Sequence, residues 1–287
     1  MTFDHNESLQ EAIARNVHDA LMEDIGRGDW TAQLVRAGQE ARAQVVTKQA
    51  AVICGRPWFD ACVRTLDSGA SVEWTVAEGA AVAAGTVICR IGSDARALLS
   101  AERPALNFLQ LLSGVASVTR RYAQAIDDAS PNPKGCVVLD TRKTLPGLRQ
   151  AQKYAVRVGG GCNHRMALWD GILIKENHIA AAGSIAAALI AARALDAGVG
   201  IQIEVENLVE LQQALDAGAT NVLIDDFTLE DMRGAVALNA GRALLEVSGG
   251  VDLASIREFA ATGVDRISVG KLTKDVQAVD LSMRVID

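Results

Sequence analysis

After residue 135 the chain alternates between short apolar runs with strand character and segments with helical spacing. Repeated strand–helix units build parallel sheets, because each helix returns the chain to the edge where the preceding strand began. Glycines just before the next strand, as at Gly198, Gly218 and Gly263, are typical of helix C-termini. The predicted strands are 136–141, 171–175, 201–206, 221–226, 243–248 and 265–270, and the predicted helices are 148–158, 184–197, 208–217, 229–239 and 253–262.

An open doubly wound sheet and a closed barrel both fit this alternation. The run 201–206 favours a barrel, because its apolar residues alternate with Gln202, Glu204 and Glu206. A flat sheet with helices on both faces should be apolar on both. A barrel strand faces helices on one side and can face a polar interior on the other. The fold class we predict is therefore α/β with a barrel-like second part.

The first 130 residues lack this regularity. Their pattern predicts a helix at 7–24, a strand at 41–54, a helix at 58–66, two strands within 71–91 and a long helix with Ser100 as its N-cap. Mixed elements without strict alternation are typical of an α+β domain. The breaker cluster ASPNPKG marks the predicted boundary. We predict domains at 1–130, joined by 276–287, and at 131–275.

Charged and polar residues collect at the carboxyl ends of the predicted strands, whereas the amino ends are mostly uncharged. In β/α barrels the active site lies at the carboxyl ends. Polar loops alone explain one or two charges at a strand end, but not this one-sided excess. The residues concerned are Arg142, Lys143, Lys175, Glu176, Asn177, Glu204, Glu206, Asn207, Asp225, Asp226, Ser248, Gly249, Gly250, Gly270 and Lys271.

The order of these residues predicts what the site binds. The early strand ends are cationic, which suits carboxylates and diphosphate. The middle ones are acidic, which suits Mg²⁺ and sugar hydroxyls. Ser248, Gly249 and Gly250 precede a predicted helix starting near residue 253, where free backbone N–H groups could hold a phosphate.

Composition excludes several other classes of protein. A net charge of −7 disfavours non-specific nucleic-acid binding. Five cysteines without CxxC spacing predict neither disulfides nor a zinc site, and indicate a reducing, cytoplasmic compartment. The most apolar window, 180–192, is too short to span a bilayer, and the polar N-terminus has no signal-peptide core. We therefore expect neither nucleic-acid nor membrane partners.

At these residues the chain resembles the quinolinate phosphoribosyltransferase family. The likeness runs from about residue 10 to the end, and its longest block lies between residues 140 and 179. The matching stretches are EDIGRGDWT (23–31), SAERPALNFLQ (100–110), DTRKTLPGLR (140–149), GGGCNHR (159–165), LIKENHI (173–179), EVEN (204–207), LIDDF (223–227), EVSGG (246–250) and ISVG (267–270).

The resemblance implies an N-terminal α/β sandwich domain, an incomplete TIM-like barrel and a final strand, within 276–286, that returns to the first domain. It implies a Mg²⁺-dependent homodimer in NAD biosynthesis. This transferase joins quinolinate to phosphoribosyl diphosphate and yields nicotinate mononucleotide, diphosphate and CO₂.

The resemblance also implies roles for individual residues. Lys143, Lys175, Glu204 and Asp225 would be catalytic, and Glu204 and Asp225 would bind Mg²⁺ and the ribose hydroxyls. Substrate would be held by Arg103 from the other subunit and by Thr141, Arg142, Lys143, His164, Arg165, Lys175, Glu204, Asp225, Ser248, Gly249, Gly250, Val269 and Gly270.

Three alternatives remain open at this level. Lys175 at a barrel strand end could form a Schiff base in a lyase, although the nearby Glu176 argues against a neutral amine. A non-catalytic anion-binding protein could use the same scaffold, although Glu204 and Asp225 would not help it. His164 could be a loop histidine that bonds to its neighbours and does not contact substrate.

Overall fold

The computed structural model describes residues 5–286 and contains two compact units. The first unit comprises the described residues up to Val118, Thr144–Gly160 and the described residues from Thr273 onwards. The second comprises Thr119–Lys143 and Gly161–Leu272. The predicted domain division stays a prediction, because clusters of contacts need not coincide with independently folding domains. Residues 1–4 and 287 of the predicted domains lie outside the described residues.

The first unit is built around an antiparallel sheet of four strands, which lie in the order β12 (Leu281–Val285), β1 (Glu40–Thr47), β5 (Val87–Asp94) and β3 (Ser71–Trp74). A pair of two-residue strands, β2 and β4, lies beside it as a separate small sheet. Its elements are α1 (Leu9–Ile25), β1 (Glu40–Thr47), β2 (Ala51–Val52), α2 (Arg56–Leu66), β3 (Ser71–Trp74), β4 (Ala81–Val82), β5 (Val87–Asp94), the first part of α3 (Ala95–Ile126), α4 (Arg149–Gly159) and β12 (Leu281–Val285).

The strand β12 confirms the predicted return of the chain to the first unit. It pairs antiparallel with β1, with Val45 opposite Met283. The segment before it packs closely on α3, where the Val279 N–H donates to the Gln110 carbonyl at 3.0 Å. Gly114, one turn further along α3, has no side chain to obstruct this segment. The first sheet therefore includes a strand that is far from it in sequence.

The predicted start of the long helix at Ser100 was wrong. The helix α3 begins at Ala95, because Asp94 supplies an earlier cap. Its Oδ1 accepts the N–H groups of Arg96 and Ala97 at 2.9 and 3.1 Å. The Ser100 hydroxyl instead donates to the Asp29 carboxylate. The segments predicted as one strand at 41–54 and two strands at 71–91 also divide further, into β1 and β2 and into β3, β4 and β5.

The helix α4 belongs to the first unit, although the sequence places it within the strand–helix series. Gln152 is fully buried, and its Oε1 accepts the Leu145 N–H at 2.8 Å while its Nε2 donates to the Thr273 carbonyl. The Tyr154 hydroxyl donates to Glu78 at 3.1 Å. Periodicity identifies such a helix but does not reveal what it packs against.

The second unit contains all six predicted parallel strands. Four of the five predicted helices lie in it. Three of these have nearly the predicted bounds, and the fourth, α9 (Ile256–Ala260), is shorter than predicted. The strands are β6 (Val137–Leu139), β7 (Ile172–Ile174), β8 (Ile201–Val205), β9 (Asn221–Asp225), β10 (Leu244–Ser248) and β11 (Arg266–Ser268), and the helices are α5 (Glu176–Ala182), α6 (Ile185–Ala194), α7 (Leu208–Asp216), α8 (Leu229–Asn239), α9 (Ile256–Ala260) and α10 (Lys271–Lys274), whose last residues belong to the first unit.

The strand order identifies this sheet as an incomplete barrel. Neighbours follow the order β6-β11-β10-β9-β8-β7, so the first strand of the series pairs with the last. A closed barrel has this circular order, and here the circle is interrupted between β6 and β7. The predicted TIM-like barrel is therefore confirmed, and its open side lies between those two strands. Within residues 5–286 no helix combines the length and hydrophobicity needed to cross a bilayer.

Candidate active site

Polar side chains line the interior of the barrel because inward and outward residues alternate along each strand. In β8 the outward Ile203 and Val205 are fully buried against the helices, whereas Gln202 and Glu204 face inward. Strand register continues this inward row to the carboxyl ends, where Asp225 of β9 lies opposite Ser248 of β10. The carboxyl-end ring consists of Thr141, Lys175, Glu204, Asp225, Ser248 and Gly270.

Lys175 and Glu204 form the clearest contact within this ring. The Lys175 Nζ lies 3.0 Å from Oε1 and 2.8 Å from Oε2 of Glu204. The lysine side chain is 44% exposed and the glutamate side chain 10%, so the pair is open on one side. A Schiff-base lysine must be a neutral amine, and an adjacent carboxylate favours the ammonium form. This ion pair argues against the lyase alternative.

Thr141 and Gly270, at the ends of the adjacent strands β6 and β11, lie close to Lys143. The Thr141 Oγ1 accepts the Lys143 N–H at 3.1 Å, which fixes the turn after β6. A methyl group added at Gly270 would lie 3.3 Å from the Lys143 Cδ. Gly270 thus leaves space for the lysine side chain. Val269 is buried, and its N–H donates to the Leu139 carbonyl; its predicted role in substrate binding stays a prediction.

The glycines after β10 pack against the end of β9. Gly249 has a φ of 101°, and a Cβ there would lie 3.2 Å from the Asp226 backbone nitrogen. Asp226 itself has a φ of 57°, and its N–H donates to the Ser248 carbonyl. Any side chain at Gly249 would therefore push the two strand ends apart. Glycine at this position lets the backbone lie close to the position predicted for the phosphate.

The helix expected to begin near residue 253 in fact begins at Ile256 and has five residues. The Asp252 Oδ1 accepts the N–H groups of Ala254 and Ser255 at 3.0 and 2.9 Å. These two donors are used within the protein and do not face a ligand. The phosphate role predicted for Ser248, Gly249 and Gly250 stays a prediction, and it rests on the turn and not on a helix N-terminus.

The segment 162–165 spans the open side of the barrel. Cys162 forms an isolated parallel bridge with Leu139 of β6. The fully buried Asp140 accepts the Asn163 Nδ2 at 2.5 Å and the His164 N–H at 2.9 Å. On the other side, the His164 Nε2 lies 2.9 Å from the Gln202 Oε1 of β8. This segment therefore connects β6, at one edge of the sheet, with β8, the strand next to the other edge.

Arg165 lies away from the carboxyl-end ring. Its Nη1 donates to the Gly171 carbonyl just before β7, at 2.9 Å. Burial, and secondly the nearby Arg142, lower the pKa of Arg165. The neighbouring charges of Arg142 and Arg165 make this region positive, which favours an anion. The cavity of about 590 Å³ that Arg165 lines reaches the amino ends of the strands at Asn221 and Arg266.

The predicted metal ligands, Glu204 and Asp225, come from adjacent strands. Among residues 5–286 no group of three or more acidic, histidine or cysteine side chains is placed to hold a metal. Mg²⁺ commonly uses one or two carboxylates, several waters and substrate phosphates. The two carboxylates therefore fit a Mg²⁺ ion that a phosphorylated substrate would bring with it.

Two further observations complete the placement of the predicted residues. Arg103 lies on α3 in the first unit, with its Nη2 3.7 Å from the Glu102 Oε1 and more than half of its side chain exposed. Glu246 and Ser268, which the sequence predictions missed, meet inside the barrel at 2.5 Å. The sequence could have identified them, because each lies two residues before Ser248 or Gly270 on the same strand and so faces the same side of the sheet.

Comparison with known proteins gives a consistent result over the whole chain. Two family models match: "Quinolinate phosphoribosyl transferase, N-terminal domain" over residues 29–113 and "Quinolinate phosphoribosyl transferase, C-terminal domain" over residues 115–284. The chain is 40% identical over 265 residues to a "Probable nicotinate-nucleotide pyrophosphorylase [carboxylating]" of Bacillus subtilis, covering 92% of this chain and 90% of the relative.

A plant relative and a solved structure extend the comparison. A "Quinolinate phosphoribosyltransferase [decarboxylating] 2b, mitochondrial" of Nicotiana tabacum is 34% identical, with 93% of this chain and 80% of the relative covered. The structure of the nicotinate-nucleotide pyrophosphorylase from Francisella tularensis superposes with a TM-score of 0.92 at 42% identity, covering 98% of this chain and all of the other.

Proposed function

The chain belongs to the quinolinate phosphoribosyltransferase family, and from that premise we propose how its residues perform the reaction. The protein transfers the phosphoribosyl group of phosphoribosyl diphosphate to quinolinate with loss of CO₂, which gives nicotinate mononucleotide and diphosphate in de novo NAD biosynthesis. The observation that supports our assignment of roles is the carboxyl-end ring, in which Lys175, Glu204 and Asp225 come from three adjacent strands.

Positive charge is needed first, because the two substrates together carry two carboxylates, a 5′-phosphate and a diphosphate. A cation about 4 Å from an anion contributes roughly 4 kcal/mol at an effective dielectric of 20, before desolvation is subtracted. We assign the quinolinate carboxylates to Arg142, His164, Arg165 and Lys175, of which His164 and Arg165 line the same cavity. Burial and, secondly, the positive charge of Arg142 lower the pKa of Arg165, and a bound carboxylate would offset that repulsion. Lys143 and Lys175 would neutralise the leaving diphosphate.

Glu204 and Asp225 would bind the ribose hydroxyls and hold Mg²⁺, whose chemistry is to neutralise diphosphate charge as the C–O bond breaks. The two carboxylates also favour the positive charge that develops on the ribose ring in an oxocarbenium-like transition state. In this proposal Lys175 leaves Glu204 for the diphosphate when substrate binds. The 5′-phosphate would lie against the turn formed by Ser248, Gly249 and Gly250, near Thr141 and Gly270.

Decarboxylation follows from the product of the first step. Once the pyridine nitrogen is bonded to the ribose it carries a positive charge. Loss of the adjacent carboxylate leaves an electron pair beside that nitrogen, which stabilises it, and a proton then replaces the CO₂. The protein's contribution is to position the ring and to exclude competing arrangements.

Assays of CO₂ release and nicotinate mononucleotide formation, with quinolinate and with nicotinate in turn, test this proposal. We expect turnover with quinolinate only, because the second carboxylate is needed to pair with the Arg142 and Arg165 cations. Lys143→Ala and Arg165→Ala should each lower turnover at least about a hundredfold while the fold persists. Near wild-type turnover in either variant would remove that residue from the mechanism.

We further propose a homodimer in which Arg103 reaches the site of the other subunit. This assignment is supported by the family resemblance and by the exposure of Arg103 on α3. Equal mixing of the inactive variants Arg103→Ala and Lys143→Ala tests it. Random exchange gives half of the dimers one intact site, so about a quarter of wild-type activity should return. No recovery after demonstrated exchange would place Arg103 in its own subunit's site.

A cytoplasmic location belongs to the same proposal. All five cysteines are free, and Cys54, Cys62 and Cys89 are buried in the first unit. Reduced thiols are the rule in the cytoplasm. Fractionation of cells that produce the full chain, with enzymatic activity as the marker, would locate it. Recovery outside the cytoplasmic fraction would contradict this assignment.

A further inference from the structure

A layer of polar side chains lies inside the barrel below the carboxyl-end ring. At its centre is Glu246 of β10, which is fully buried. Its Oε2 accepts the Gln202 Nε2 at 2.9 Å, and its Oε1 accepts the Ser268 hydroxyl at 2.5 Å. Gln202 also donates to the Asn221 Oδ1 at 3.2 Å. Because Gln202 belongs to β8, two strands away from β10, the bond to Glu246 crosses the barrel interior.

This layer determines the orientation of the Gln202 amide. A carboxylate only accepts hydrogen bonds, so Glu246 requires the NH₂ group of Gln202 to face it. The Asn221 oxygen accepts from the same group. The Gln202 Oε1 must then face away from the Glu246 Oε2, and it faces the His164 Nε2 at 2.9 Å. The same Nε2 also lies 3.5 Å from the Glu246 Oε1, so Glu246 acts on His164 directly as well. His164 therefore donates to Gln202 from Nε2.

The contact of the other ring nitrogen of His164 independently indicates that the proton is on Nε2. The Arg165 backbone N–H donates to the His164 Nδ1 at 2.7 Å, so Nδ1 carries a lone pair and the proton is on Nε2. Both ring nitrogens are thus bonded to the protein. The imidazole connects the interior layer to the backbone of Arg165, whose guanidinium lines the cavity at the open side of the barrel.

We propose that Glu246 is a positioning residue for the pyridine-carboxylate pocket. Directly and through Gln202, it holds the His164 proton on Nε2 and thereby places Arg165. This inference rests on the proposed function, because the pocket that Arg165 lines must bind quinolinate for its placement to affect catalysis.

The His164 tautomer in the wild-type protein is the first test, and it needs no variant and no activity. In ¹⁵N-histidine-labelled protein, two-bond correlation spectra distinguish an imidazole protonated at Nε2 from one protonated at Nδ1 or at both nitrogens. The chain has four histidines, and the signal missing from His164→Gln identifies the residue. We expect the neutral Nε2–H pattern. An Nδ1–H or doubly protonated ring would overturn the proposal.

The variant Glu246→Gln tests the connection to substrate binding. A neutral amide can donate as well as accept, so it no longer forces one orientation on Gln202. We expect the His164 signal to become heterogeneous and the KM for quinolinate to rise about tenfold, with the KM for phosphoribosyl diphosphate changing less than about twofold. A purely structural role would change thermal stability without separating the two KM values.

Exchanging the amide and the carboxylate between positions 202 and 246 tests whether the defect of Glu246→Gln can be rescued. The double variant Gln202→Glu with Glu246→Gln keeps one carboxylate and one amide between β8 and β10, and the carboxylate, now on β8, would still accept from the His164 Nε2. We expect it to restore the His164 pattern and most of the quinolinate affinity.

The matched control is Asp265→Asn, because Asp265 also accepts two hydrogen bonds, from Asn132 and the Leu245 N–H, outside this layer. It should leave both readouts unchanged.

The other possible results with these variants also test the role proposed for Glu246. An unaltered His164 pattern and an unaltered quinolinate KM in folded Glu246→Gln would refute the proposal. If that variant does not fold, the milder Ser268→Ala, which removes one donor to Glu246, should shift both readouts in the same direction. Wild-type protein that made no nicotinate mononucleotide would overturn the proposed function, whereas the tautomer measurement would still stand as a separate result.

Discussion

Gly114→Ala should destabilise the first unit, although it replaces a glycine within a helix. A Cβ at Gly114 would lie 2.1 Å from the Gln277 carbonyl oxygen, whereas ordinary contact begins at 3.4 Å, a shortfall of about 1.3 Å. The obstructing atom is backbone, so relief requires a shift of the whole segment before β12. That shift would strain the Val279 N–H bond to Gln110.

The two opposing contributions to this change can be compared. Replacing glycine by alanine inside a helix stabilises by about 1 kcal/mol. Overpacking a close contact costs typically 1–3 kcal/mol, and contact with rigid backbone places this case near about 3 kcal/mol. The net loss is then about 2 kcal/mol, which lowers Tm by about 5 °C in a chain of this size.

Scanning calorimetry and urea unfolding would measure the effect. The matched control is Gly234→Ala in the middle of α8, where the added Cβ would meet the Leu208 side chain at an ordinary 3.4 Å. The control should raise stability by up to about 1 kcal/mol, since only the helix-propensity gain remains. A Gly114→Ala protein as stable as the wild type would refute the close packing of the returning segment against α3.

Three further predictions concern the site and the response to pH. Gly270→Ala should lower turnover about tenfold with little change in Tm, because the added methyl displaces the flexible Lys143 side chain and no backbone; wild-type turnover would contradict this. Hydrogen bonds from the Asp94 N–H and the Ser93 hydroxyl lower the pKa of Asp67, so its contribution to stability is present above about pH 4 and is lost as the pH falls through the lowered pKa. The difference in unfolding free energy between wild type and Asp67→Asn should therefore be constant near neutral pH and shrink in acid; a difference that grew in acid would reverse the sign of this reasoning. Chelation with EDTA should abolish turnover and excess Mg²⁺ should restore it, whereas turnover that persists in EDTA would argue against a metal at Glu204 and Asp225.

Local pattern predicted most of the second unit and less of the first. Apolar runs that alternate with helix-like segments were sufficient to identify all six barrel strands, and the alternation within 201–206 indicated a polar interior. The start of α3 was missed because Asp94 and Ser100 are both good N-caps, and only tertiary contacts decide between them. The packing of α4 in the first unit depends on the buried Gln152 and its bond to Thr273, which no local pattern reveals.

Local pattern also predicted part of the candidate site, and it missed the residues whose positions depend on tertiary contacts. Residues at strand ends, such as Lys175, Glu204 and Asp225, were found because strand direction alone places them at one mouth. Arg103 could be found only through family resemblance, since an arginine in a helical turn has no distinguishing pattern. The bonds of His164 to Gln202 and Arg165 depend on a loop path across the open side of the barrel, which sequence periodicity does not describe.

The pairing of β12 with β1 has a consequence for synthesis of the protein. A ribosome produces β1 and β5 long before β12, and it makes every barrel strand in the interval. Until β12 emerges, the β1 edge presents unpaired N–H and C=O groups that can recruit foreign strands. The unit translated first is therefore completed last, and nascent chains paused within the barrel should depend most on chaperones.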